Sequence, residues 1–188
     1  MSITPAFSPG PWITFLFFVG SFFIARTILA PIAGRLSDLF GPKPFLLIGN
    51  ARIAVALLSL STLGIDSPEW SILAMMIVAG GGSAFFEPVV TSVIMGSVPQ
   101  DRLGTASAAV ATGRHLGFAV GVALAGAIYT VRQRVYINGL DTQGIEIGRA
   151  SAEAIASAFG DALLAASVLA MIAAVFSFNA RNQSQRIP

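Results

Sequence analysis

Apolar side chains make up 55% of this chain of 188 residues, and charged side chains only 11%. Soluble domains carry roughly 25% charged residues, so this composition excludes a water-soluble globule. The absence of cysteine excludes disulfides and sulfur-ligated metals, and a net charge of +2 gives no footprint for a nucleic acid.

Several apolar segments are long enough to cross a bilayer, which takes about 20 residues. In chain order the predicted spans lie at about 11–33, 44–65, 70–95, 105–130 and 160–179. The connections are short except for 131–159, which we predict to be an outer loop with a short surface helix from Ala150 to Phe159. The predicted fold class is therefore an all-α membrane protein with five transmembrane helices.

A polar stretch from Ala33 to Pro44 separates the first two spans. Its glycines allow a tight turn, and Asp38 falls at a helix end beside bases such as Lys43. It resembles the loop motif of the major facilitator transporters, G-x-L-x-D-x-x-G-(R/K)-(R/K), and departs from it at Leu39, Pro42 and Pro44. The matching residues, here called the loop motif, are Gly34, Leu36, Asp38, Gly41 and Lys43. We expect the loop motif to act in conformational change as a latch, with Asp38 accepting hydrogen bonds from a helix amino terminus or from a base such as Lys43.

A second resemblance lies further along the chain, in the loop 97–107 and the glycine- and alanine-rich helix 112–126. Both are similar to the late region of the fourteen-span drug:proton antiporters of the EmrB/QacA type. The resemblance covers about residues 11 to 180 and only the carboxy-terminal part of such a transporter. It implies a major-facilitator bundle, proton-coupled efflux of drugs or small organic molecules, no cofactor, and an incomplete chain whose amino-terminal half is missing.

The distribution of basic residues predicts the orientation, since cytoplasmic loops are enriched in Lys and Arg. If the loop motif is cytoplasmic, the inner side holds five bases: Arg35, Lys43, Arg102, Arg181 and Arg186. The outer side then holds three: Arg132, Arg134 and Arg149. We therefore expect a multi-pass protein of the cell (inner or plasma) membrane with a cytoplasmic carboxy terminus. Its expected partners are the lipid bilayer, a small-molecule substrate, protons and the missing amino-terminal half, and no nucleic acid.

Four ionisable residues, Arg26, Arg52, Glu87 and Arg114, fall inside the predicted spans. A charge at the centre of a span costs about 2.5–3.5 kcal/mol on insertion scales, so such residues should face a cavity or one another. We expect all four to act in substrate or proton coupling. Glu87 and Arg114 each fall roughly 12–14 Å from the cytoplasmic edge, on consecutive helices that we expect to be antiparallel neighbours, and we predict that they pair. Structural alternatives stay open: Arg26 could snorkel, and Arg52 could tie helices together.

Glycine and proline positions predict where helices bend or pack. Gly81, inside a run of three glycines, and Pro88 are expected to interrupt or kink the third helix. Gly113, Gly117 and Gly121 recur every fourth residue and form a flat face for another helix.

The chain carries no motif of an enzyme. There is one histidine, so no H-E-x-x-H zinc site exists, and no G-x-S-x-G elbow occurs. Two alternatives to drug efflux remain open. One is a solute uptake carrier of the same fold, and the other is a non-transporting membrane assembly or regulatory protein.

Overall fold

The computed structural model describes residues 11–140 and 147–179, so the predicted inner bases Arg181 and Arg186 lie outside the described part. The helices are α1 (Pro11–Phe40), α2 (Pro42–Ser61), α3 (Glu69–Gly96), α4 (Leu103–Leu140) and α5 (Ile147–Asn179), with one short 3₁₀ turn at Gln100–Arg102. Each of the five is long and apolar enough to cross a membrane. The described residues contain no strand, which confirms the predicted fold class and the five spans.

The helices pack in an order that differs from their order in the chain. α1 packs on α3, α3 on α2, α2 on α5, and α5 on α4. The contact between α3 and α4 is slight, so the expectation that these consecutive helices are close neighbours is wrong. They diverge instead, and α4 stands at the end of the row with most of its side chains exposed.

Small residues, not large aliphatic ones, bring the central helices together. A Cβ added at Gly80 would meet the backbone of Phe22 on α1, and one at Gly82 would come within 2.8 Å of the Gly49 carbonyl oxygen on α2. Gly160 on α5 lies in the same way against the backbone of Ser61. Such contacts are typical of membrane helices, where close backbone approach replaces the hydrophobic effect as the source of packing energy.

The turn between α1 and α2 is shorter than predicted. α1 continues through most of the loop motif to Phe40, and α2 begins at Pro42, so the turn consists of Gly41 alone. Gly41 has φ 83°, a conformation that side chains with a Cβ rarely adopt. Pro42 suits the first position of α2 because its missing amide would have no helical partner there. The predicted loop of 33–44 is therefore mostly helix.

α3 is one continuous helix with Pro88 inside it, so the predicted interruption is wrong. Pro88 removes only one amide donor, and the hydroxyl of Thr91 donates to the Glu87 carbonyl oxygen at 2.9 Å in the following turn. α3 also packs on both α1 and α2. A bend without a break at Pro88 stays a prediction.

The predicted outer loop 131–159 is also largely helical. α4 runs on to Leu140 and α5 begins at Ile147, which leaves only 141–146 outside the described residues. The expected separate surface helix is the beginning of α5, because Ala150, Ala154 and Ala158 recur every fourth residue and are buried. The two helices are joined further by Asp161, whose carboxylate lies 2.9 Å from Arg132 Nε and accepts a hydrogen bond from the Tyr136 hydroxyl.

Candidate functional site

A cleft opens where α3 and α4 diverge, and we call it the α3–α4 cleft. Its volume is about 690 Å³, within the range of small-molecule sites. The walls are largely apolar and carry Glu87 from α3 and Arg114 from α4. The remaining wall residues are Phe86, Val90, Thr91 and Ile94 on α3, and Ala109, Val110, Gly113, Gly117 and Phe118 on α4.

Glu87 forms an ion pair with Arg26 of α1, so the predicted Glu87–Arg114 pair is wrong. α1 and α3 are separated by one intervening span and run parallel, and they pack directly at Phe22 and Gly80. Arg26 lies one turn after Phe22 and reaches along the shared interface to Glu87. Both side chains keep some exposure, 35% for Arg26 and 23% for Glu87. The ion pair with Glu87 favours a role between α1 and α3 for Arg26 over snorkelling to the interface.

Arg114 shares the cleft with Glu87 but not its ion pair. At ~1.5 Å per residue, Glu87 lies about 14 Å from the carboxy-terminal end of α3 and Arg114 about 16 Å from the start of α4. The two residues are at similar distances from the connection between the helices, but the divergence of the helices keeps the groups apart. Arg114 is exposed and forms no ion pair or hydrogen bond with any residue in the described ranges.

Arg52 lies away from the cleft, in the packed interior of α2 and α3. Its guanidinium is 5.7 Å from the centre of the Phe85 ring, a cation–π distance. It also lies against Gly81, where an added Cβ would come within 2.9 Å of Nη2. This geometry favours a role in tying the two helices together over direct contact with a substrate. The neighbouring side chain of Asn50 is buried, and its Nδ2 has no hydrogen-bond partner among the described residues.

The loop motif does not form its expected internal contact. Asp38 lies in the last turn of α1 with its carboxylate exposed, and it makes no ion pair with Lys43 and no hydrogen bond within the described chain. Gly34 faces open space, and Leu36 is partly exposed. Gly41 alone has a clear local role, in the turn.

No described helix packs on the glycine stripe of α4. A Cβ added at Gly113, Gly117 or Gly121 would meet nothing within 4 Å. Gly113 and Gly117 therefore widen the α3–α4 cleft in this structure, and packing of another helix on the stripe stays a prediction.

Sequence reasoning missed the aromatic residues of the cleft, Phe86 and Phe118. Phe118 lies one turn after Arg114, so helical periodicity places both on one face of α4. Phe86 precedes Glu87 directly, and its place on the wall depends on how α3 is rotated by its packing on α1 and α2. No signal in the sequence reports that rotation.

Comparison with known families identifies the superfamily to which the chain belongs. The profile of the Major Facilitator Superfamily matches residues 10–139, which is more than half of the chain, and the chain therefore belongs to this superfamily of transporters. Its members are multi-pass membrane carriers and not enzymes. In the described residues there is also no cluster of side chains that could hold a metal ion.

Curated relatives differ in what their names say they carry. The riboflavin transporter RibZ of Clostridioides difficile is 32% identical over 100 residues, which are 53% of this chain and 22% of RibZ. A tetracycline resistance determinant of Streptomyces rimosus is 32% identical over 94 residues, 50% of this chain and 27% of the relative. The transporter YebQ of Escherichia coli is 28% identical over 154 residues, 82% of this chain and 29% of YebQ. The chain thus spans well under half the length of these relatives, and no solved structure matches it.

Proposed function

We propose that the chain is the carboxy-terminal part of a proton-coupled exporter of drugs or small organic molecules. The observation that carries this proposal is a membrane-embedded acid, Glu87, which faces an apolar cleft of small-molecule size on one side and Arg26 on the other. Relatives named for tetracycline resistance and for multidrug transport support the substrate class, as does the resemblance to the EmrB/QacA type.

Glu87 is the proposed proton carrier. Its protonation removes the charge that Arg26 pairs with, and a guanidinium left without a counter-ion inside the membrane is costly. The free energy of the α1–α3 contact therefore depends on whether the proton is present. A proton gradient can drive the movement of one bundle against the other only if protonation changes the stability of a contact in this way.

The amino-terminal helices of the transporter are the proposed partner of this chain. Apart from the α3–α4 cleft, a second apolar groove of about 810 Å³ runs between α4 and α5, with Val122 and Tyr129 on one wall and Phe159 on the other. These uncovered faces, with the greater length of the relatives, support further helices packing on α4. Alternating access needs two bundles, so we expect no transport by the chain alone.

The loop motif is proposed to act at the cytoplasmic side as a latch between the two bundles. Asp38 has no partner in the described chain, so its carboxylate is available to a base or a helix amino terminus of the other bundle. We place the loop motif and the carboxy terminus in the cytoplasm of an inner or plasma membrane, on the basis of the distribution of bases.

A second candidate is a solute carrier for uptake with the same fold. The observation that favours it is the similarity to a protein named a riboflavin transporter. Direction of transport separates the two candidates.

The test supplies the partner in trans. The chain is co-expressed with the amino-terminal helices that complete the transporter, and energised inverted vesicles, whose lumen is acid, are challenged with tetracycline, riboflavin, ethidium and fluorescein. The proposal expects proton release from the lumen, triggered by at least one compound, in vesicles that contain both parts and in none that contain the chain alone. Absence of proton release with every compound, at verified expression of both parts, would contradict it.

A further inference from the structure

The charges in the interior of α1 to α4 do not balance. Arg26, Arg52 and Arg114 face a single carboxylate there, that of Glu87. On α5, Asp161 is already compensated by Arg132, and Glu153 lies near the start of the helix. The interior of α1 to α4 therefore carries a net positive charge.

Each of the three arginines meets a different environment. Arg26 pairs with Glu87, and Arg52 lies over the Phe85 ring. Arg114 has neither kind of contact in the described chain, although it lies about 16 Å along α4 from its inner end. A guanidinium offers five N–H donors in a planar fork, and no acceptor of the described chain takes a hydrogen bond from the Arg114 guanidinium. Arg114 is thus an unsatisfied donor that faces the α3–α4 cleft.

Glu87, on the opposite wall, does not make the cleft attractive to a cation. Its carboxylate is already compensated by Arg26, and a positively charged ligand would have to approach Arg114 within the same cleft. Arg26 and Arg114 carry one positive charge each and Glu87 carries one negative charge, so the net charge at the cleft is +1. Electrostatic repulsion therefore discriminates against cations, and this kind of discrimination is how many sites acquire specificity.

We propose that the α3–α4 cleft binds an aromatic organic anion. Its carboxylate or phenolate oxygens accept hydrogen bonds from the Arg114 guanidinium, which matches a carboxylate in a bidentate geometry. Its ring system packs against the apolar walls, where Phe86 and Phe118 lie. This inference rests on the proposed transport function and narrows its substrate class.

The test measures binding to the chain itself in lipid nanodiscs of phosphatidylcholine at pH 8, by fluorescence anisotropy after subtraction of empty discs. The two probes share one ring system and differ in charge: fluorescein is an anion and rhodamine 6G a cation. We expect saturable binding of fluorescein that is at least about tenfold tighter than that of rhodamine 6G, in line with the strength of charge-assisted hydrogen bonds. Replacing part of the lipid with anionic phosphatidylglycerol reports whether a lipid headgroup competes for the same guanidinium, and we expect no loss of fluorescein affinity.

Three variants locate the binding. Arg114→Gln should lower fluorescein affinity about tenfold or more, because the charged donor is lost. Arg102→Gln is the matched control and should leave the affinity unchanged. Arg102 is exposed in the 3₁₀ turn before α4, and its Nε lies 3.9 Å from the Asp101 carboxylate. Glu87→Gln should tighten fluorescein binding, because Arg26 then adds its uncompensated charge to the region of the cleft.

The proposal would be overturned if rhodamine 6G bound more tightly than fluorescein, or if fluorescein showed no saturable binding. It would also be overturned if a folded Arg114→Gln variant kept the fluorescein affinity of the unaltered chain, or if phosphatidylglycerol displaced fluorescein. Circular dichroism and melting temperature establish that each variant is folded. Failure of the anion proposal and failure of the transport proposal are distinguishable. Proton release triggered by ethidium alone would support transport and refute an anionic substrate. Fluorescein binding without proton release by any compound would support the anion site and refute proton-coupled transport.

Discussion

Replacing Gly80 by alanine tests the close approach of α1 and α3, on which the position of the Arg26–Glu87 pair depends. The added Cβ would fall on the Phe22 carbonyl, 3.0 Å from its carbon and 3.1 Å from the Cα, whereas carbon atoms in contact are ~3.5–4.0 Å apart. Overpacking of this kind costs about 1–3 kcal/mol, and replacing glycine in a helix returns about 0.5–1 kcal/mol. We expect Gly80→Ala to lower the free energy of unfolding by about 1–2 kcal/mol.

The matched control is Gly113→Ala, which introduces the same methyl group into open space. It should keep only the gain of about 0.5–1 kcal/mol. Because both variants have this gain, their stabilities should differ by the overpacking cost alone, about 1–3 kcal/mol. The assay is unfolding by sodium dodecyl sulfate in mixed micelles, followed by the fluorescence of Trp12 and Trp70, which lie near the starts of α1 and α3. Equal stability of the two variants would refute the packing described for α1 and α3.

Three further outcomes are expected. Asp161→Asn should lower the melting temperature, because it weakens contacts with Arg132 and Tyr136. The same change at the exposed Asp101 should leave the melting temperature unchanged. Equal effects of the two changes would contradict the stabilising role of the Asp161 contacts between α4 and α5. Arg26→Met alone should destabilise the chain more than Arg26→Met with Glu87→Gln, because the single change strands a carboxylate; additive losses in urea or detergent titrations would argue against the pair. Leu39→Cys, in an otherwise cysteine-free chain, should react with a membrane-impermeant maleimide only from the cytoplasmic side, and labelling from outside would reverse the proposed orientation.

The spans and their number were predictable because membrane insertion depends on length and apolarity, which are read directly from the sequence. The ends of the helices were not. The stretch from Ala33 to Pro44 contains glycines and prolines that typify turns, but Gly34 stands in a continuous helix and Gly41 alone forms the turn. The segment after residue 130 carries charges and was expected to leave the helix, yet the Asp161 contacts and the buried alanines of α5 keep both helices extended.

Depth along each helix was also predictable, and the partner of Glu87 was not. The rise per residue gives the distance of Glu87, Arg114 and Arg26 from the ends of their helices, and it places all three inside the predicted spans. Which of two arginines Glu87 meets depends on whether α3 packs on α1 or on α4, and that is decided by the close contact of Gly80 with Phe22. The sequence shows the glycine run but does not show which neighbour approaches it.

The most direct test of the account is proton coupling through Glu87. Substrate-triggered proton release is measured in inverted vesicles that contain the chain with its complementing amino-terminal helices. Glu87→Gln is compared with Glu69→Gln, which makes the same change at the exposed amino-terminal end of α3. The account predicts that Glu69→Gln releases protons like the unaltered chain, and that Glu87→Gln, at an equal protein level, releases none. Undiminished proton release by Glu87→Gln would contradict it and leave Glu87 with a structural role only.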